Sequence, residues 1–176
     1  AHARLIAALS KPGAVVLEMP RRDQVSGVRD LASEEGFRAA TKWDKSGWPD
    51  YELYAPLIKA IFEQSLRPGA GHPTRRELIG SMSNGESLRR SLPEASLTRL
   101  SKDIDTAHCG HLNENLNQVM VGAQIFKDQV MAHELRSQAG FQQGVLVAGN
   151  GHIRKDYGVP MFLKGTVSIA FIEVQK

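Results

Sequence analysis

Short apolar runs between turn residues predict three β-strands. The first run, residues 14–19, contains two adjacent valines and is bounded by Gly13 and Pro20. A run that is apolar at nearly every position is typical of a strand buried on both faces of a parallel sheet. Residues 144–148 show the same pattern, and residues 166–174 alternate in the manner of a third strand. Because helical segments separate these runs, the pattern predicts an α/β fold with a largely parallel sheet flanked by helices.

The other apolar spacings predict helices. In residues 114–139 the apolar positions recur every three to five residues, and Gly140 follows as a stop signal. Residues 51–65 carry a second helical stripe. Pro56 lies inside that stripe, so the helix either starts near the proline or kinks there.

The middle of the chain is punctuated by glycine and proline. Residues 66–113 favour a cluster of short helices over a sheet. The predicted organisation is an α/β core formed by residues 1–32 and 114–176, with a smaller, mainly helical insertion at residues 33–113.

Composition restricts the class of protein. The chain has 176 residues, of which 41% are apolar and 23% charged, and this suits one globular domain, with room for a small subdomain. The formal net charge is only +3, and no stretch concentrates it. Nucleic-acid binders usually gather basic residues on one face, so a nucleic-acid partner is not expected. A single cysteine excludes an intrachain disulfide.

The turn after the second predicted strand is the best local candidate for a binding site. Gly149 and Gly151 permit unusual backbone conformations and a close approach of ligand to the main chain, and the turn would present His152. In parallel sheets, ligands bind outside the carboxyl ends of the strands. The residues that follow and could assist are Arg154, Lys155 and Tyr157. The alternative is a tight turn whose histidine is merely solvated.

Glu18 is an acidic residue in an otherwise apolar strand. Because a buried, unpaired carboxylate is costly, Glu18 should have a partner or reach an open site; the alternative is a strand-end glutamate that points to water. Gln124 and Asp128 lie four residues apart and therefore share one face of the long helix. The sequence leaves open whether that face is solvated or points inward.

Aromatic side chains cluster between residues 43 and 54. They are Trp43, Trp48, Tyr51 and Tyr54. Core packing is one use for them, and half-exposed rings on which a flat macrocyclic ligand stacks are another.

These motifs together resemble the ChaN-like haem-binding uptake family, which comprises iron-regulated bacterial lipoproteins within the wider Tiki/TraB/erythromycin-esterase-like superfamily. The matching segments occur in the order of the family and span nearly the whole chain. They are Val15-Val16-Leu17-Glu18-Met19, Gly47-Trp48 with Tyr54-Ala55-Pro56-Leu57, His108-Cys109-Gly110-His111-Leu112, residues 123–132 and residues 148–160. The family pattern opens with a strand ending in Gly-Glu-x-His, which is not in this sequence. By the resemblance, the sequence begins at about the helix that follows, with His2 in its His-rich start.

The resemblance implies haem as the cofactor, bound on a parallel-sheet domain beside a smaller helical domain. The candidate iron ligands are Tyr54, Tyr157 and His152, and the candidate partners of the propionates are Arg154 and Lys155. Glu18, Gly149 and Gly151 would complete the haem site. We expect Glu18 and the His152 turn to converge beside the aromatic residues.

The implied function is reversible haem binding in bacterial iron uptake, without catalysis. The resemblance further implies a periplasmic or outer-membrane location, an outer-membrane haem receptor system as partner, and a homodimer around haem. One alternative is a metal-dependent hydrolase in which Glu18 and His152 hold an ion that activates water. Another is a structural module whose open sheet edge pairs with a second copy.

Overall fold

The computed structural model describes residues 2–9, 13–25, 33–66, 68–139 and 143–171. They divide into two compact units. The first contains residues 1–72 and 133–148, and the second contains residues 73–132 and 149–176.

The first unit contains the sheet. Its elements, in chain order, are α1 (His2–Ala8), β1 (Ala14–Arg21), α2 (Arg22–Val25), α3 (Glu34–Thr41), a 3-10 turn (Trp43–Lys45), α4 (Tyr51–Glu63), β2 (Pro68–His72) and β3 (Gly144–Val147). The helix predicted at residues 51–65 thus begins at Tyr51, five residues before Pro56.

All three strands are parallel, in the order β2-β1-β3. β1 is central: Val15 pairs with Pro68 on one side and with Val145 on the other. Pairing to β3 ends at Leu17 opposite Val147, and the register with β2 is irregular between Leu17 and Arg21. The α/β fold with a parallel sheet is therefore confirmed, and its central strand is the first one predicted.

Both faces of β1 are buried. Val15, Val16 and Leu17 are fully inaccessible to solvent, as expected for the apolar run that forms the strand. The core around it comes largely from α3, the 3-10 turn and α4, in which Phe37, Trp43, Ile58 and Ile61 are buried. Core packing therefore explains Trp43, whose indole N–H also donates to the Pro49 carbonyl oxygen at 2.9 Å.

β2 corrects the prediction that residues 66–113 contain no sheet. Its sequence Pro68-Gly69-Ala70-Gly71-His72 has no β-branched residue and looks like a loop. Small residues suit it because a Cβ at Gly69 would overlap the side chain of Gln138. Pairing with β1 thus overrides the weak intrinsic preference of this segment for a strand.

The second unit is helical in the residues that the structure describes. It contains α5 (Arg75–Met82), α6 (Gly85–Arg89), α7 (Glu94–Ala107), most of α8 (Glu114–Ala139) and a 3-10 turn (Val159–Met161). Its core includes Leu100, Val121 and Ile125. The long helix predicted at residues 114–139 is confirmed, and Gly140, predicted to stop it, lies outside the described residues.

The predicted third strand over residues 166–174 is wrong for its described part. Residues 166–171 form neither strand nor helix, and 172–174 lie outside the described residues. Val167 and Ile169 remain 85% and 51% exposed. Alternating apolar residues indicate a capacity for strand formation, but a strand forms only where a partner strand accepts its hydrogen bonds.

Candidate functional site

A pocket of about 340 Å³ lies in the first unit, between α1 and α4. It is lined by His2, Ala3, Pro49, Leu53, Tyr54, Pro56 and Leu57. The lining is apolar apart from one imidazole and one phenol. Such a surface with few polar groups is typical of ligand pockets, and its volume is at their lower end.

The amphipathic pattern of α4 creates this pocket. Ile58 and Ile61 point into the core, while Leu53 is 74% exposed and Tyr54 is half-buried. α1 is fixed against α4 by buried Ile6, whose carbonyl oxygen accepts a hydrogen bond from the Gln64 amide at 2.6 Å. The pocket therefore lies on the outer side of a helix whose inner side is anchored in the core.

Tyr54 combines a ring packed in the core with a hydroxyl that lies at the pocket. Its ring packs against Trp43 with a centroid distance of 5.0 Å and an interplanar angle of 54°. Among the described residues, the Tyr54 hydroxyl makes no hydrogen bond. Burial, and secondly the negative charge of Glu18, raise the pKa of the Tyr54 phenol above its ordinary value.

Glu18 lies within the central strand, three residues before its last residue Arg21 and one residue beyond the last pair with β3, and is 9% exposed. Its effect on Tyr54 places its carboxylate within electrostatic range of that phenol. Glu18 is therefore a buried residue and not a solvated strand end, and its charge is, after burial, the second cause of the raised pKa of the Tyr54 phenol.

His2 is a site residue that the sequence analysis did not select. Burial, and secondly the positive charge of the amino terminus, lower the pKa of His2 below its ordinary value. Its imidazole is therefore predominantly neutral at pH 7 and able to accept a hydrogen bond or bind a metal ion. The signal available in the sequence was its place at the His-rich helix start of the resembling family.

A second polar cluster lies within the second unit, around His152. His152 is 5% exposed, and its Nδ1 lies 2.6 Å from Oδ1 of fully buried Asp128. Because a carboxylate only accepts, the proton is assigned to Nδ1. The Gln124 amide nitrogen lies 3.0 Å from Nδ1 and 3.4 Å from the other ring nitrogen, Nε2, which carries no proton in this tautomer and can accept from it. The shared face of Gln124 and Asp128 thus points inward and fixes the imidazole that the turn presents.

The His152 turn is closed by backbone hydrogen bonds and by Gly158. The His152 N–H donates to Gly149 O at 2.9 Å, and the Val159 N–H donates to His152 O at 2.8 Å. A Cβ at Gly158 would overlap the His152 carbonyl oxygen and stand 2.8 Å from the Arg154 carbonyl oxygen. A Cβ at Gly151, by contrast, would meet Gln124 at 3.7 Å, an ordinary contact. Steric constraint therefore falls on Gly158, which the sequence analysis did not select.

The other candidate residues of the second unit differ in whether their polar groups already have a protein partner. The buried Tyr157 hydroxyl donates to Asp103 Oδ2 at 2.8 Å, and burial followed by this bond raises its pKa to about 12. Arg154 forms two hydrogen bonds to Asp156, at 2.8 and 2.6 Å, and its guanidinium lies 4.9 Å from the centroid of the Tyr157 ring. Lys155 is exposed. Lys155 therefore offers a more accessible cation than Arg154.

Comparison with known proteins assigns the family. The sequence model of the family described as haem-binding uptake, Tiki superfamily, ChaN, matches residues 1–163. This chain belongs to that ChaN family of haem-binding uptake proteins. The family resemblance inferred from the motifs is therefore confirmed, and the cofactor expected from it, haem, is the ligand that the family description names.

The fold is shared with a solved ChaN structure, that of ChaN of Campylobacter jejuni, which is described as showing cofacial haem binding. The TM-score is 0.66 and the sequence identity 20%; the match covers 85% of this chain and 61% of that one, so this chain spans about three fifths of its length. No curated protein matches the sequence significantly.

Membrane-spanning helices and metal-binding clusters are both absent from the part of the chain that the structure describes. The described residues contain no helix that is both long and apolar enough to cross a membrane. In the same part of the chain, no three His, Cys, Asp or Glu side chains lie together in an arrangement that could hold a metal ion. The family finding supports haem and does not favour the alternative of a metal-dependent hydrolase.

The ChaN fold distributes the predicted site residues over both units. Glu18 and Tyr54 are in the first unit, and the second contains the His152 turn with its two glycines. The second unit also contains Arg154, Lys155 and Tyr157. The convergence of Glu18 with the His152 turn stays a prediction. Within single units, the structure brings together Glu18 with Tyr54, and His152 with Gln124 and Asp128.

We expect Gly158→Ala to lower the free energy of unfolding by about 2–3 kcal/mol, because the added methyl group overlaps the His152 carbonyl oxygen in a closed turn. Urea denaturation followed by circular dichroism measures the change. Gly151→Ala is the matched control and should stay within about 0.5 kcal/mol of the original chain. Equal denaturation midpoints for the two variants would contradict the packing assigned to Gly158.

Proposed function

We propose that this chain binds haem reversibly as a cargo of bacterial haem uptake, without chemical conversion, and that the Tyr54 pocket holds it. The support is the family assignment together with one observation, the hydroxyl of Tyr54 in an apolar pocket with no hydrogen bond among the described residues. An apolar surface accepts the porphyrin ring, and a phenolate oxygen is an established protein ligand of haem iron.

The three tyrosines differ in a way that selects Tyr54. The Tyr51 hydroxyl faces the Glu34 carbonyl oxygen at 3.4 Å, and the Tyr157 hydroxyl donates to Asp103 at 2.8 Å. Tyr157 is also only 4% exposed. To bind iron, either of these phenols would have to leave its present partner, whereas Tyr54 would not. His152 is similarly held by Asp128 and Gln124, so Tyr54 is the ligand that we propose.

The same pocket explains why binding would be reversible. Tyr54 must lose its proton to bind ferric iron as phenolate, and burial and Glu18 both oppose that loss. His2, the other polar group of the lining, has a lowered pKa and is therefore predominantly neutral at pH 7. A single anionic ligand whose proton affinity is raised gives weaker retention than two buried strong ligands would, as suits a protein that hands its cargo on.

We further propose that two copies enclose haem and that the protein works in the periplasm or at the outer membrane, beside an outer-membrane haem receptor system. A pocket of about 340 Å³ with a strongly exposed Leu53 would leave a flat macrocycle partly open to water on one chain. A second copy would cover that face. The location and the receptor are supported by the family resemblance.

We expect Tyr54→Phe to abolish the phenolate-type absorption spectrum of the ferric haem complex and to weaken haem binding at least about tenfold, because the proposed ligand atom is removed. Titration with haemin, followed at the Soret band, measures both effects. Tyr157→Phe is the matched control: it removes the bond to Asp103 and should lower stability while leaving the spectrum unchanged. A normal spectrum for Tyr54→Phe with an altered one for Tyr157→Phe would reverse the assignment.

We expect Glu18→Gln to lower the pKa of Tyr54 and to strengthen ferric haem binding about two- to fivefold at fixed pH, because it removes the charge that opposes phenolate formation. Haem affinity should rise with pH as long as Tyr54 is protonated in the free protein, since binding releases its proton. Tyrosine carbon NMR reports the pKa and haemin titration the affinity. Glu52→Gln, in an exposed residue of α4, is the control. Weaker binding by Glu18→Gln would show that the carboxylate assists haem directly.

We expect sedimentation equilibrium to give a mass near 19.3 kDa for the haem-free chain and about twice that value for the loaded chain. Leu53→Lys should reduce haem-dependent association, because it places a charge on the exposed apolar rim while leaving the core untouched. A loaded protein that stays monomeric at full haem occupancy would refute enclosure by two copies and leave the Tyr54 assignment intact.

A further inference from the structure

A second pocket, in the other unit, is lined by none of the residues that we assign to haem. It has a volume of about 290 Å³ and lies among α5, α6 and the first turns of α8. It is lined by Ser81, Met82, Gly85, Arg89, Asn115, Gln118, Val119, Gly122 and Ala123. We call this pocket the Arg89 groove.

Two glycines keep the Arg89 groove open. α6 and α8 approach so closely that a Cβ at Gly122 would stand 3.5 Å from Gly85 Cα. Side chains at these positions would fill the space between the two helices. The apolar walls remain accessible, since Met82 is 50% and Val119 40% exposed. The groove therefore combines a backbone floor with apolar sides, which suits a narrow aliphatic or aromatic body.

Arg89 gives the groove its charge. Its Nη1 lies 3.4 Å from the position of a Cβ at Gly85, which places the guanidinium over the floor. Among the described residues Arg89 forms no ion pair, whereas the adjacent Arg90 pairs with Glu86. The lining contains no acidic residue, and the polar side chains of Asn115 and Gln118 face the same space. A guanidinium beside neutral amides matches a carboxylate, which it can bind through two parallel hydrogen bonds.

We propose that the Arg89 groove binds a small organic carboxylate with an apolar tail, its carboxylate on Arg89 and its tail between Met82 and Val119. The site belongs to the second unit alone and is separate from the Tyr54 pocket of the first unit. It gives the chain a ligand class other than haem. Its occupancy does not depend on the proposed function.

Octanoate is the probe, titrated into the full chain labelled with ¹⁵N and followed by the amide signals of Gly85 and Gly122. We expect saturable shifts of these two signals with a Kd of about 0.1–1 mM, as suits a ligand of this size. Octylammonium, which has the same tail and the opposite charge, should bind at least about fivefold more weakly.

Arg89→Gln should weaken octanoate binding at least about fivefold, and Arg90→Gln, its neighbour engaged with Glu86, should change it less than twofold. Equal affinity of the original chain and Arg89→Gln, equal affinity for octanoate and octylammonium, or shifts confined to residues outside the groove would each overturn the proposal.

Because Arg89 is half-buried at the surface, the amide spectrum of Arg89→Gln should otherwise match that of the original chain. Val119→Asn, which replaces an exposed apolar wall of the groove by a polar one and leaves the contact of Gly85 with Gly122 unchanged, should weaken octanoate binding at least about threefold; unchanged affinity in this variant would refute the assignment of the tail.

Discussion

Pairing of β1 on both edges is the constraint on which the first unit depends. Because the strand is hydrogen-bonded to β2 and β3 and packed on both faces, its position relative to α4 and the aromatic segment is fixed by the core. Glu18 follows directly where pairing with β3 ends. A carboxylate is thus held at the margin of the core, near a phenol that itself packs on Trp43. The register of the sheet thus sets where the negative charge of Glu18 lies, and that charge is one cause of the raised pKa of the Tyr54 phenol.

The sequence predicted those parts of the fold that rest on local pattern. A strand that lies in the interior of a sheet gives a continuous apolar run, as at residues 14–19 and 144–148. A helix that buries one face gives apolar residues at helical spacing, as at residues 114–139. β2 could not be predicted in this way. Its glycines are chosen for the close approach of Gln138, a contact between residues far apart in sequence. Conversely, residues 166–171 have the alternation of a strand but no partner strand among the described residues.

For the candidate site, too, the sequence indicated which residues share a local pattern but not which distant residues come into contact. The sequence identified Glu18, Tyr54 and His152, and it showed that Gln124 and Asp128 share a helical face. It could not show that this face meets His152, because that contact joins segments 24 and 28 residues apart. His2 and Gly158 were missed for different reasons. His2 is a single polar residue in a short helix, and its spacing from apolar residues does not indicate a pocket. The crowding at Gly158 arises from carbonyl groups that only the folded turn brings near.

The surroundings of His152 and of Tyr54 give the physical reason for proposing the phenol, and not the imidazole, as the iron ligand. The His152 Nδ1 donates to a fully buried carboxylate, so withdrawing this imidazole toward a metal would break a buried, charge-assisted hydrogen bond. Tyr54 carries no such penalty, since no hydrogen bond among the described residues has to break. Its cost is deprotonation alone, and that cost is set by burial and by Glu18. A ligand that gives up no hydrogen bond to a described residue, and whose ionisation is opposed by burial and by Glu18, would suit the reversible binding that we propose.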